Sequence, residues 1–167
     1  YKKAPAGKTL ALQALGDVLF RIYVREGKLL LTRYQPDGSF AQIELPSQDL
    51  ETPRTVLAYN LYSSPENPLT GSYRRLALIF PDCVALELSG TPMVAESLGS
   101  SIPTLRHACV HLSRVFGAQD DRLYASSFND PRNWDLDTAS DVDASHAWVS
   151  TVQSNTRSSG DFTAMTV

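Results

Sequence analysis

The chain has 167 residues, 43% of them hydrophobic and 20% charged, with a formal net charge of −3. That length suits one domain or part of one and is enough to bury a core. The basic residues are scattered, which argues against a general nucleic-acid surface, and no apolar run nears the ~20 residues of a membrane-spanning helix.

The chain opens Tyr1-Lys2-Lys3-Ala4-Pro5, without Met and without the apolar core of a signal peptide. This implies a processed or tagged chain, or a piece of a longer one. Residues 1–9 read as an extended arm. Residues 10–15 are apolar and Gly16-Asp17 is a turn. Residues 18–24 are rich in β-branched and aromatic side chains and predict a strand. The turn Arg25-Glu26-Gly27-Lys28, a strand over 29–34, the turn Gln35-Pro36-Asp37-Gly38-Ser39 and a strand over 40–45 complete a three-strand antiparallel meander.

Residues 46–52 are polar and predict a loop, and 55–62 predict a strand or a short helix, the strand favoured by Thr55, Val56 and Tyr59. SSPENPLTG, 63–71, reads as an exposed loop. Strands over 73–80 and 83–88 flank Pro81-Asp82 as a second hairpin, broken by Ser89-Gly90-Thr91-Pro92. A further strand is expected over 94–98, followed by a loop over 99–103. Residues 105–112 fit either a helix, with Leu105, Cys109 and Leu112 on one face, or a strand; the alternation of Ala108, Val110 and Leu112 favours the strand. Arg114-Val115-Phe116-Gly117-Ala118 is a short β-prone run, Gln119-Asp120-Asp121 a turn, and 122–126 an alternating strand. Ser127-Phe128-Asn129-Asp130-Pro131 then breaks the strand, because Asn and Asp bond nearby backbone and Pro lacks a donor. Trp134 is expected to fold back over this hairpin with its indole N–H bonded. Beyond it lie an acidic loop over 135–145, a strand over 146–152, a loop over 153–160 and a last strand over 162–167.

Short strands at this spacing, with no convincing long helix, predict an all-β fold of antiparallel meanders, propeller-like, with a β-sandwich as the alternative. A blade in the familiar repeats takes ~40–45 residues, so three to four would fit, fewer than most closed propellers need and consistent with an incomplete domain. The organisation expected is an arm over 1–9, a β-rich domain over 10–134, and an acidic loop with further strands over 135–167 that continue the same domain. The best internal repeats are 18–45 and 73–98.

The run Arg114-Val115-Phe116-Gly117-Ala118, then Tyr124-Ala125-Ser126, then Asp130-Pro131-Arg132-Asn133-Trp134 resembles a segment of tailed bacteriophage and prophage structural proteins. There a strand of the type R-V/L-W/F-x-A precedes x-Y-x-S and D-P-x-N-W. Leu76-Ala77-Leu78-Ile79-Phe80-Pro81-Asp82 is similar to blade strands of these proteins that end in F-P-D. The resemblance spans residues 59–134. It implies a β-propeller-like component of the tail or head–tail connector, located in the virion and assembled in the host bacterial cytoplasm. Its partners would be other copies of itself and neighbouring virion proteins, with direct nucleic-acid binding not expected but the lining of a DNA channel left open. It implies no catalytic residue and no cofactor.

Ser127-x-Asn129-x-Pro131-x-x-Trp134 has the spacing of the S-x-D-x-G-x-x-W turn of sialidase-like propellers, with Asn for Asp and Pro for Gly. This gives the alternative reading, a carbohydrate-binding or sialidase-like propeller, although that turn locks hairpins and is not an active site. Ser127, Asn129, Asp130, Pro131 and Trp134 are therefore structural turn candidates. His107 and His111 share a face but lack a third metal ligand. Asp135, Asp137, Asp141 and Asp143 lack the Gly and Glu of a calcium loop, with Ala139, Ser140 and His146 at the key places. No nucleophile elbow, phosphate loop or dinucleotide motif is present, so no catalysis is expected. Cys83 and Cys109 read as small buried hydrophobes, a disulfide between them staying open. Arg74-Arg75 reads as a charged edge-strand device.

Overall fold

The structure is a computed structural model and describes residues 6–67, 72–88, 93–136, 146–151 and 165. Among the described residues there is no helix, and twelve strands form three four-stranded antiparallel sheets, none closed into a barrel. Sheet 1 holds β1 (Lys8–Leu15), β2 (Val18–Arg25), β3 (Lys28–Tyr34) and β4 (Phe40–Glu44) in sequence order. Sheet 2 holds β5 (Thr55–Asn67), β6 (Ser72–Phe80), β7 (Val84–Glu87) and β8 (Ala95–Ser97). Sheet 3 holds β9 (His107–His111), β10 (Arg114–Gln119), β11 (Arg122–Ala125) and β12 (Trp148–Thr151). Each sheet is a simple meander, and the first strands of successive sheets lie side by side, β1 against β5 and β5 against β9. That is a propeller-like stacking of blades.

The sheets stack through two apolar layers. Phe20, Ile22, Leu29 and Leu31 of sheet 1 pack on Val56, Ala77, Ile79, Val84 and Leu86 of sheet 2. The opposite face of sheet 2, with Tyr59, Leu76, Leu78, Phe80 and Ala85, packs on Ala108, Val115 and Trp134 at sheet 3. Sheet 2 is thus covered on both sides, which explains the unbroken apolar run Leu76-Ala77-Leu78-Ile79-Phe80, every residue of it at most 1% exposed.

The turns follow from their residues. Glu26 and Gly27 both take positive φ (53° and 73°), the pattern of a two-residue hairpin whose twist matches its strands. Leu112 and Ser113 do the same (45° and 58°) without a glycine to ease it. The Ser113 carbonyl accepts bonds from the Tyr59 hydroxyl of sheet 2 and from the Asn129 N–H, which hold this turn in place. The Phe80–Pro81 bond is cis.

Several expectations change. The arm is shorter: β1 begins at Lys8, so the first meander has four strands, and residues 1–5 lie outside the described residues. Each sequence repeat had lost its first strand. The loop expected over 63–71 is in part strand, since β5 runs to Asn67 and β6 starts at Ser72. Register shifts between Leu61, Pro65 and Asn67 let the ladder pass the proline. Cys83 sits in the β6–β7 turn at φ 52°, not in a strand. The stretch 105–112, for which the strand was favoured over a helix, is strand over His107–His111, β9, held by antiparallel pairing with β10. Arg74 and Arg75 lie on β6, an interior strand paired on both sides, so they do not guard an edge. The loop expected over 153–160 lies outside the described residues, as does the strand over 162–167 except residue 165.

Candidate functional site

The turn after β11 ties sheet 3 together and joins it to sheet 2. Ser127 N–H donates to the Asn133 carbonyl, and Asp130 N–H donates back to the Ser127 carbonyl. Asn129 occupies the left-handed region, φ 58°, a conformation its short polar side chain tolerates. Its Oδ1 accepts the Tyr62 N–H at 3.2 Å while its own N–H reaches the Ser113 carbonyl at 2.8 Å, so one residue links sheets 2 and 3. Asp130 Oδ1 accepts the Arg132 N–H, and the Trp134 indole donates to the Pro131 carbonyl at 2.9 Å. Trp134 is 5% exposed and belongs to the layer between sheets 2 and 3. All five turn candidates therefore meet in one staple, and the indole that could have offered a sugar-stacking platform is inside. The Ser127 hydroxyl is buried without a hydrogen-bond partner.

Burial and charge act around this staple. Burial pushes the Tyr59 phenol well above its ordinary value, with nearby Asp130 and Tyr62 adding to the effect. Buried Arg114 donates to the Ser126 and His146 carbonyls at 2.6 and 2.8 Å, tying β10 to the end of β11 and the approach to β12. Val115 N–H donates to the Ser126 hydroxyl. At the rim, Glu96 of β8 accepts from Arg74 at 3.2 Å and from Arg132 at 3.0 Å, a charged clasp across the same two sheets.

A second joint, between sheets 1 and 2, was not legible in the sequence. Arg54 is buried and pairs with Asp82 of the β6–β7 turn, side chains 0% and 4% exposed. Arg54 also donates to the Thr52 and Asp49 carbonyls and to the Ser47 hydroxyl, closing the loop that joins the sheets. Arg33, 3% exposed, donates to the Glu87 and Leu88 carbonyls across the same layer. An Arg in a polar loop carries no signal of a buried partner 28 positions away.

The remaining candidates separate. His107, Cys109 and His111 alternate along β9 and share one face of it, with the His111 ring against Phe116 at 6.4 Å between centroids. No group of three or more His, Cys, Asp or Glu converges on a metal position among the described residues. Asp137, Asp141 and Asp143 lie outside the described residues. Cys83 and Cys109 are free and half-buried, not joined to each other. Burial, with Asp82 adding, pushes the Cys83 thiol up to about 11, and burial raises Cys109 too.

What the geometry does expose at the two ends of the stack is a few large apolar side chains, on outer faces that are in part covered: Tyr23 and Thr32 of sheet 1 and Ala118 and Ala125 of sheet 3 are 0% exposed. On the outer face of sheet 1, Ala14, Leu19, Tyr34 and Phe40 form one row in register across all four strands. Phe40 is 48% exposed and its ring lies 6.1 Å from Tyr34; Leu12 on the same face is 63% exposed. Beside them Arg21 stacks over Tyr23 at 4.4 Å. On the outer face of sheet 3, Cys109, Phe116, Ala125 and Trp148 form an equivalent row. Trp148 meets Phe116 edge-on at 6.0 Å and is 36% exposed.

Comparison with family models, curated proteins and solved structures gave no match. No helix among the described residues is long and apolar enough to cross a membrane.

Proposed function

We propose that this chain is a structural protein of a phage virion, working in the tail or head–tail junction by subunit–subunit packing. The observation that carries the packing part is the exposure of Leu12, Leu19 and Phe40 on the outer face of sheet 1 and of Trp148 on that of sheet 3. Exposed clusters of large apolar side chains on a soluble domain mark interaction surfaces. The residues Arg114 to Trp134, whose pattern resembles phage structural proteins, supply the virion part. Their placement in an inter-sheet staple agrees with a scaffold role and gives them no substrate to bind. The protein's work is to hold neighbours in register, without cofactor and without turnover.

Electron microscopy of native particles from cells that carry the gene, with antibody against this chain, tests the reading. Label at the tail or at the head–tail junction is the expected result. Label absent from intact particles, with the chain found only as free protein, rejects it. Turnover of a sialoside or other glycan, abolished by a single substitution, would reject it in favour of the carbohydrate reading.

A further inference from the structure

We infer that two copies of this chain meet through the tip of the staple, at Tyr62, Leu112 and Phe128, about a two-fold axis that sets Arg75 of each copy against Asp130 of the other. The inference rests on the reading that the protein works by subunit packing, and it names one contact and its partner.

The large apolar side chains left in water are unevenly placed. β1, β5 and β9 start at the same end of the stack, where the Arg54 N–H reaches the Leu10 carbonyl and the Thr55 hydroxyl the Arg106 carbonyl. The connections β2–β3, β4–β5, β6–β7, β8–β9 and β10–β11 lie at that end, and none of their residues is a large exposed apolar one. At the opposite end lie the β9–β10 turn with Leu112, 74% exposed, and the loop after β11 with Phe128, 55% exposed. Tyr62 of β5, 44% exposed, joins them. Asn129 holds the three together. It follows Phe128, its Oδ1 accepts the Tyr62 N–H, and its own N–H donates to the carbonyl of Ser113, next to Leu112. Leu112 stands at φ 45°, in the left-handed region that a leucine rarely takes. A strained turn that displays a leucine beside two exposed aromatic rings has the character of an interaction surface.

Unlike charges flank this patch. Arg75 of β6 pairs in register with Asn60, two residues before Tyr62. Its guanidinium lies towards sheet 1, 3.9 Å from where a Gly16 Cβ would stand. Asp130 lies two residues after Phe128, on the sheet 3 side, with one carboxylate oxygen on the Arg132 N–H. Arg75 is exposed and Asp130 half-buried. Neither makes an ion pair among the described residues. In a two-fold contact the same patch serves both copies, so residue i meets residue j and j meets i. Here Tyr62 packs on Phe128 of the other copy, Leu112 fills the centre, and Arg75 meets Asp130 twice. A second copy supplies both counter-charges by symmetry alone, and charge pairs of this kind fix the register of a contact.

Sedimentation velocity over a concentration series tests this on the full chain, with Leu112→Asp, Arg75→Glu and Asp130→Lys variants. The wild type should approach twice the 18.3 kDa chain mass as concentration rises. Leu112→Asp should stay a monomer. Arg75→Glu and Asp130→Lys each set like charges together at both pairs and should weaken the dimer about tenfold or more. Mixed one to one, these two variants should associate again. The new glutamate then faces the new lysine, and the untouched Asp130 faces the untouched Arg75. Circular dichroism should show every variant folded as β-sheet. If Asp130→Lys unfolds, Arg75→Glu against Arg75→Lys takes its place, the first weakening the dimer and the second keeping it. A wild-type monomer at every concentration overturns the contact, as does a dimer that Leu112→Asp leaves intact. Two weakened variants that stay apart when mixed overturn the two-fold pairing, and so does an open polymer. Location in the virion is read separately by the antibody label, so a failed contact and a failed virion role are told apart.

Discussion

Sheet 2 and its two neighbours share strand number and order, yet they read differently as sequence. Over residues 76–80 of β6 both phases of the alternation are apolar and both are buried, because sheet 1 lies on one side and sheet 3 on the other. In β12, at the other extreme, all four residues are exposed, Trp148 and Val149 among them. The difference teaches that burial here is a property of position in the stack and not of strand type.

The comparison is broken most severely where a sheet-to-sheet joint is cut. Asp82→Ala leaves the Arg54 charge buried without its partner, which typically destabilises by ~3–5 kcal/mol. Trp134→Ala empties a bulky site in the layer between sheets 2 and 3 and should lose about the same, ~3–5 kcal/mol. Both are measured by denaturant titration followed by circular dichroism. A loss under ~1 kcal/mol at either position would mean that its layer is not the joint it looks to be.

A paired test sharpens the contrast between middle and end. Leu78 is wholly buried in sheet 2, while Leu12 stands on the outer face of sheet 1. Leu78→Ala should lose ~2–5 kcal/mol at any protein concentration. Leu12→Ala should lose within about 0.5 kcal/mol in dilute protein, because its side chain is 63% exposed. A loss at Leu12 that grows with protein concentration would be the signature of a covered face, because association stabilises by mass action.

Much of this architecture was legible. Strand boundaries came from alternation and from turn chemistry, as in Gln35-Pro36-Asp37-Gly38-Ser39, where Ser39 N–H donates to Asp37 Oδ1 at 2.8 Å. The hairpin β10–β11 was readable for the same reason. What was not legible is long-range. The first strand of sheet 1 ran into a polar arm, and only its pairing with β2 defines it. The proline in β5 suggested a loop, and only the register shifts explain how a strand passes it. Arg74-Arg75 suggested an edge because charge in a strand often marks one; here Arg74 faces Glu87 and Glu96 across the sheet. Which face of sheet 1 is covered was not legible, because β2 carries large apolar residues in both phases, Phe20 and Ile22 in one and Leu19 and Tyr23 in the other, and a sequence does not say which phase finds a partner.

A finer probe of the covered faces is steric. Gly117 of β10 lies on the face of sheet 3 that meets sheet 2, paired with Ala108 and Tyr124. A Cβ there would run into Leu105 Cδ1 and stand 2.7 Å from its Cδ2 and 2.8 Å from its Cγ. Leu105 is fully buried, so it has little room to yield. Gly117→Ala should therefore destabilise by ~1–3 kcal/mol through overpacking. Restoring room with Leu105→Ala in the same chain should make the pair less damaging than the sum of the two single losses. Strict additivity would show that the two side chains do not meet.

The smallest effect separates the two ends of the sheet 1–sheet 2 joint by pH. Arg54 and Asp82 form its buried end, and Asp49 its exposed end. The Asp49 carboxylate accepts N–H bonds from Glu51 at 2.9 Å and Thr52 at 3.1 Å. The Thr52 side chain, then these backbone donors, hold its carboxyl at about 2, below the usual 3.8. A carboxyl depressed by folding adds stability that is present above 3.8 and is lost as the pH falls towards about 2. Asp49 is exposed, so solvent screening keeps this contribution below ~1 kcal/mol. Asp49→Asn should lower Tm slightly at neutral pH, and the gap to the wild type should close as the pH falls from 4 to about 2. The expected record is a pair of Tm curves that converge in acid. A gap of constant size down to pH 2 would mean that Asp49 acts through the shape of its turn and not through its charge.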